Sequence, residues 1–211
     1  MELNKLIAIL QSRYTGLIMV NAWGETSLFY NPLNILKRGT YCITFKQRDG
    51  ENDASSQLDR DSVKFRMNFK LSKSTFLTHF NEPSLPDRPG KGDIISLKSG
   101  RNYDPSVLDQ VIPHPVYAWM SWVSVINPSK ETIETILELG MIDEAYRDAV
   151  ERHDKNKSVI KHRTQNTASD ESEHAKRGSF FDDSILPRKR ARSSSVDTRT
   201  LDECKLDSSP K

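Results

Sequence analysis

Between Ser62 and Lys70, apolar Val63, Phe65, Met67 and Phe69 alternate with Lys64, Arg66, Asn68 and Lys70. A period of two puts successive side chains on opposite faces of a β-strand, so this stretch predicts a strand with one buried face. Thr40–Lys46 has the same signature: Tyr41, Ile43 and Phe45 alternate with Thr40, Cys42, Thr44 and Lys46, implying one buried and one wetter face. Leu17–Ala22 is a short apolar run, Gly24-Glu25 a turn, and Thr26–Tyr30 a further strand that Asn31-Pro32 breaks. Asp93–Leu97 reads as a short strand, and Ser121–Ile126 as a Trp-bearing one.

Helical spacing occurs at both ends of the patterned region. Leu3, Leu6, Ile7 and Leu10 form an i, i+3, i+4, i+7 stripe over 1–14. A short helix starts at Ser72 or Ser74 and turns Phe76, Leu77 and Phe80 inward, while Asp104 caps one or two helical turns over Pro105–Val111. Asn127 as N-cap and Pro128 at the first helical position open a long final helix. Its inward residues are Ile133, Ile136, Leu137, Met141, Ile142, Ala145, Tyr146 and Ala149, and Gly140 kinks or divides it. Strands joined by short turns favour an antiparallel sheet, with the helices packed on it. The fold class is α+β.

The pattern stops near position 150. From Glu151 onward the chain holds 13 of roughly 76 apolar residues, too few to offset the entropy of ordering. The expected organisation is therefore one α+β domain over 1–152 and a disordered basic, Ser-rich tail over 153–211. Of 31 Lys+Arg and 29 Asp+Glu, 14 and 11 fall in 151–211, leaving 17 and 18 before it. A near-neutral domain with a basic tail does not match a dedicated DNA-binding domain. No stretch reaches 18 apolar residues and no secretory segment opens the chain, which predicts an intracellular protein without membrane association. Cys42 and Cys204 do not form a disulfide framework, consistent with a reducing compartment, the nucleus or the cytoplasm.

The tail carries Pro187-Arg188-Lys189-Arg190-Ala191-Arg192. An exposed basic cluster of this kind suits a nuclear import receptor, and the same charge would hold nucleic acid electrostatically. Arg188, Lys189, Arg190 and Arg192 are the candidate nuclear-localisation residues. Ser179, Ser193, Ser195 and Ser209 are candidate phosphorylation sites, and phosphate beside the cluster would mask it.

Catalytic and metal-binding patterns are missing. The five His and two Cys show no ligand spacing, and Arg88–Asp93 lacks the spacing of a phosphate-binding loop, so no metal or cofactor is expected. No nucleophile-elbow pattern occurs either. What remains is a pocket. His114 is pinned between Pro113 and Pro115, with Tyr117 and Trp122 close by and Asp59-Arg60 before the alternating strand. These five residues would line a ligand cleft in which His114 gives or takes a proton. The competing reading makes the aromatics core and satisfies His114 with a backbone carbonyl. The first function reading is a non-enzymatic binding or interaction module sent to the nucleus by its tail. The second is a small-ligand binder or enzyme built on Asp59, Arg60, His114, Tyr117 and Trp122, and the third is nucleic-acid binding through the tail.

Several motifs in order carry a family resemblance: Leu58-Asp59-Arg60, Phe65-Arg66-Met67-Asn68, His114-Pro115-Val116-Tyr117-Ala118, Trp122-Val123 and Asn127-Pro128-Ser129. They resemble a family known only as a domain of unknown function, with small bacterial and fungal members, over roughly residues 1–152. The layout is more distantly similar to MmcQ/YjbR-like proteins, which share an N-terminal helix, an antiparallel sheet with a Trp-containing strand, and a final helix bearing a Tyr, here Tyr146. That likeness implies a compact α+β fold with suggested DNA binding in some members. It transfers no catalytic residue.

Overall fold

The computed structural model describes residues 1–22, 25–50, 53, 55–58 and 64–158. Helix α1 (Leu3–Arg13) leads into β1 (Leu17–Ala22), β2 (Glu25–Tyr30) and β3 (Thr40–Lys46). Then come β4 (Arg66–Lys70), α2 (Lys73–Phe80), β5 (Ile112–Pro113) and β6 (Trp122–Ile126). Two helices, α3 (Lys130–Glu138) and α4 (141–158), close the described part. The strands make one antiparallel sheet in the order β1-β2-β3-β4-β6-β5. The α+β expectation holds.

Alternation assigns the two faces. Leu28, Ile43, Phe45, Met67, Phe69, Val123 and Val125 join Leu6, Ile7 and Leu10 of α1, Phe76 of α2, Ile133 and Ile136 of α3, and Met141, Ile142, Ala145 and Ala149 of α4 in one core. The opposite face is polar: Ser27 lies opposite Thr44, Thr44 opposite Asn68, and Asn68 opposite Ser124, so one polar row crosses four strands. Lys46 lies opposite Arg66 in the next row. That face is not the wet one expected of the alternating strands, because Lys46, Arg66, Asn68 and Ser124 are all buried.

A bulge explains one departure from the pattern. The β2–β3 register slips between Leu28 and Phe29, so Phe29 sits opposite Tyr41 and Cys42 is skipped. An extra residue on one strand reverses the alternation beyond it. Cys42 joins the core and Tyr41 turns to the polar face, where its ring packs 4.2 Å from that of Phe29. Burial pushes the Cys42 thiol up to about 12, as suits a small buried hydrophobe.

Gly140 divides the final helical stretch in two, as expected: it takes φ 68°, a left-handed conformation that glycine adopts without a steric cost. Three local expectations are corrected. Ser129, not Asn127, caps α3, its hydroxyl accepting from the Thr132 N–H at 3.1 Å. Asn127 instead takes φ 46° and accepts from the Phe65 N–H at 2.9 Å, tying the start of β4 to the end of β6. Asp93–Leu97 forms no strand, and Pro105–Val111 no helix: the Asp104 carboxylate accepts from the Ser106 N–H at 2.8 Å and closes a single turn. Helix α4 continues past residue 152 and buries His153 against Tyr30, ring centroids 5.1 Å apart. The tail residues Ser179, Arg188, Lys189, Arg190, Arg192, Ser193, Ser195 and Ser209 lie outside the described residues, as do Asp59 and Arg60.

Candidate anion site on the polar face

The polar face is roofed by two segments. One holds Asp53 and Ser56; the other runs from β5 through His114 to β6. Between sheet and roof lies a cavity of about 460 Å³, bounded by Tyr41, Lys46, Asp53, Arg66, Asn68, His114, Tyr117 and Trp122 among others. That volume falls within the roughly 300–1,000 Å³ usual for small-ligand pockets.

Arg66 is its centre. The side chain is 1 % exposed, yet every part of its guanidinium has a neighbour. Nε donates to Asn68 Oδ1 at 2.9 Å, and Nη1 donates to Asp53 Oδ1 at 3.1 Å and to Ser56 Oγ. Nη2 donates to Asp53 Oδ2, which completes a two-pronged ion pair. Asn68 in turn donates to Thr44 Oγ1 at 3.0 Å, so the row of strand residues holds the guanidinium plane in place. Lys46 Nζ reaches the same Asp53 carboxylate at 2.8 Å. Burial alone would raise the Asp53 carboxyl, but hydrogen bonds and charge from Arg66, then Lys46, hold it well below the usual carboxylate range. Two buried cations thus share one carboxylate.

His114 completes the roof. Its backbone N–H donates to the Trp122 carbonyl at 3.0 Å, which extends the β5–β6 ladder by one residue. The following turn bends back over the ring, and Nδ1 accepts from the Val116 and Tyr117 N–H groups at 3.1 and 3.2 Å. The ring does satisfy the backbone, but through N–H donors rather than the expected carbonyl. This difference decides the tautomer. With Nδ1 accepting, the neutral imidazole carries its proton on Nε2. Nε2 lies 3.4 Å from Arg66 Nη2, which has no lone pair to offer. Two N–H donors therefore face each other in the cavity, and among the described residues nothing accepts from Nε2.

Burial, then the charge of Arg66, lowers the His114 pKa to about 3; Asp53 pulls upward, and Lys46 adds a lesser downward push. The imidazole is neutral throughout the physiological range and acts as a donor, not a third cation. A stability prediction follows from the sign of that shift. An unfolded imidazole takes up a proton near about pH 6.5, while the folded one resists until about pH 3. Between those values the unfolded chain binds more protons, so stability falls by up to about 1.4 kcal/mol per pH unit as pH drops. Asp53, depressed in the fold, adds to the loss once pH passes below about 3.9. Thermal unfolding between pH 6.5 and 4 should show the midpoint falling, with a shallower slope in His114→Asn. Equal slopes in the two proteins would contradict a buried neutral imidazole.

Of the five ligand residues expected from sequence, the fold brings His114, Tyr117 and Trp122 to one cavity. Pattern reading missed Lys46, Asp53, Arg66 and Asn68. The available signal was two cations in the alternating strands that no nearby strand residue neutralises. The motifs that carried the family resemblance divide by task. Arg66, Asn68, His114, Tyr117 and Trp122 line the cavity, while Asn127 and Ser129 secure the neighbouring turn and helix.

The model of a family of unknown function, DUF6194, matches residues 1–158. The chain belongs to that family. No curated protein and no solved structure matches it. The more distant likeness to MmcQ/YjbR-like proteins gains no support from these comparisons. Membership in DUF6194 assigns no ligand, so the site has to be read from its own chemistry. Among the described residues no cluster of His, Cys, Asp or Glu could hold a metal ion, and no helix is long and apolar enough to cross a membrane.

Proposed function

We propose that this DUF6194 member is a binding module for a small organic anion, held by Arg66, His114 and Lys46. The observation that carries the reading is the 3.4 Å approach of Arg66 Nη2 to the protonated Nε2 of His114. Two fixed donors this close repel unless an acceptor atom is shared between them, and an anion oxygen supplies one. The charge agrees: among the described residues bonded in this cluster, Lys46 and Arg66 leave one positive charge beyond what Asp53 neutralises. Two buried cations that share one carboxylate are incompletely neutralised, and an anion arriving there relieves that cost. Glu25 at the edge of the cavity is half-buried and has no bond to either cation.

The test is a thermal-unfolding series on the full chain with increasing sodium acetate or phosphate. A ligand at ten times its Kd stabilises by about 1.4 kcal/mol, a rise of roughly 3–6 °C for a chain of this size. The expected rise saturates and exceeds that produced by sodium chloride at matched ionic strength. A shift no larger than the chloride series would remove the proposal.

For localisation we propose nuclear entry through Arg188, Lys189, Arg190 and Arg192, supported by the basic cluster in the sequence. Replacing all four with Ala in a fusion too large to diffuse through the nuclear pore should move the signal to the cytoplasm. Unchanged nuclear accumulation would clear the cluster of that role.

A further inference from the structure

We infer that the anion taken by this cavity is a carboxylate on a flat apolar body, an aryl or conjugated monocarboxylate, rather than a phosphate ester. The inference rests on the anion-site reading and narrows it. Three features of the cavity converge on this class.

The first is charge. Two cations and Asp53 leave a single positive excess at the donors. A monoanion neutralises it, whereas a phosphate monoester near pH 7 carries close to two negative charges and overshoots. The second is the kind of donor. Phosphate sites are commonly built from successive backbone N–H groups or a helix N-terminus. Here the candidate donors are side-chain groups (Arg66 Nη2, His114 Nε2 and Lys46 Nζ), and no α-helix begins among the described lining residues. The backbone N–H groups of the nearby turn, at Val116 and Tyr117, are already committed to His114 Nδ1.

The third is the wall. Tyr41, Tyr117, Met120 and Trp122 line the same cavity as the donors. The Tyr117 ring centroid is 4.9 Å from that of His114, so the aromatic surface begins directly beside the anion position. Tyr117 is 46 % exposed, which places it at the mouth. Rings and a thioether favour a flat, polarisable body over a hydrated one. Met120 and Trp122 also border a second cavity, of about 700 Å³.

Calorimetric titration of the full chain with acetate, phenylacetate and phenyl phosphate tests the inference. Phenylacetate is expected to bind at least ~10-fold tighter than each of the others, since burying a ring removes substantial apolar area from water. Tyr117→Ala and Trp122→Leu should each reduce the phenylacetate-to-acetate ratio. Tyr117, being exposed, gives a variant that keeps the test open if Trp122→Leu fails to fold. Equal affinity for acetate and phenylacetate would overturn the flat-body inference, and tighter binding of phenyl phosphate would overturn the carboxylate. In either case the anion site itself stands. Failure of all three ligands to bind would remove the site along with the inference.

Discussion

Asp53→Asn should be the most damaging single substitution in the cavity, lowering folding stability by about 3–5 kcal/mol. The carboxylate is the shared partner of Lys46 and Arg66, and both cations are buried. An amide keeps the shape but removes the charge, leaving two uncompensated cations on adjacent strands directly opposite each other. Urea unfolding measures the loss as a drop in midpoint with an unchanged slope. The same variant should gain more from added acetate than the parent protein does, because its positive excess has grown from one to two. A loss below about 1 kcal/mol would mean that Lys46 and Arg66 do not depend on Asp53.

Arg66→Gln should do the reverse. It removes the central donor, and truncating one partner of a buried charge pair costs about 2–5 kcal/mol of affinity, at least ~30-fold. Its stability cost should be smaller than that of Asp53→Asn, because Asp53 keeps Lys46 and the site becomes neutral. Arg66→Lys should not restore binding. An ammonium cannot engage both Asp53 oxygens, Asn68 and Ser56 while still presenting a proton beside His114. The pair of variants separates the two roles, one carboxylate holding the fold and one guanidinium holding the ligand. Anion affinity in Arg66→Gln equal to that of the parent would place the ligand elsewhere.

The longer strands were legible in the sequence because a period of two is local, whereas two-residue β5 left no such signal. Phe65, Met67 and Phe69 report their face whatever lies above the other one. What lies above was not legible. Arg66, Asn68 and Lys46 have the pattern of a solvated face, and only the two covering segments, one bearing Asp53 and Ser56 and the other His114, turn that face into an interior. The bulge at Cys42 was hidden for a similar reason, since skipping one residue depends on the partner strand and not on the composition of β3.

The neighbouring prolines made His114 conspicuous, and its aromatic companions followed from proximity along the chain. Its role did not follow. Whether an imidazole donates or accepts through Nε2 is decided by what Nδ1 meets, and Val116 and Tyr117 meet it only because the turn after Pro115 folds back over the ring. The helix boundaries show the same limit. Asn127-Pro128 has the composition of a helix start, but Phe65 claims the Asn127 side chain, and capping passes to Ser129.

The measurement that bears most directly on the anion site is a long-range ¹H–¹⁵N correlation spectrum of His114 at pH 7, recorded without and with acetate. The expected spectrum shows a neutral ring protonated at Nε2, whose Nε2 resonance moves as acetate is added and stops moving at saturation. A ring protonated at Nδ1, or an Nε2 resonance indifferent to the anion, would contradict the paired-donor site on which the proposed function stands.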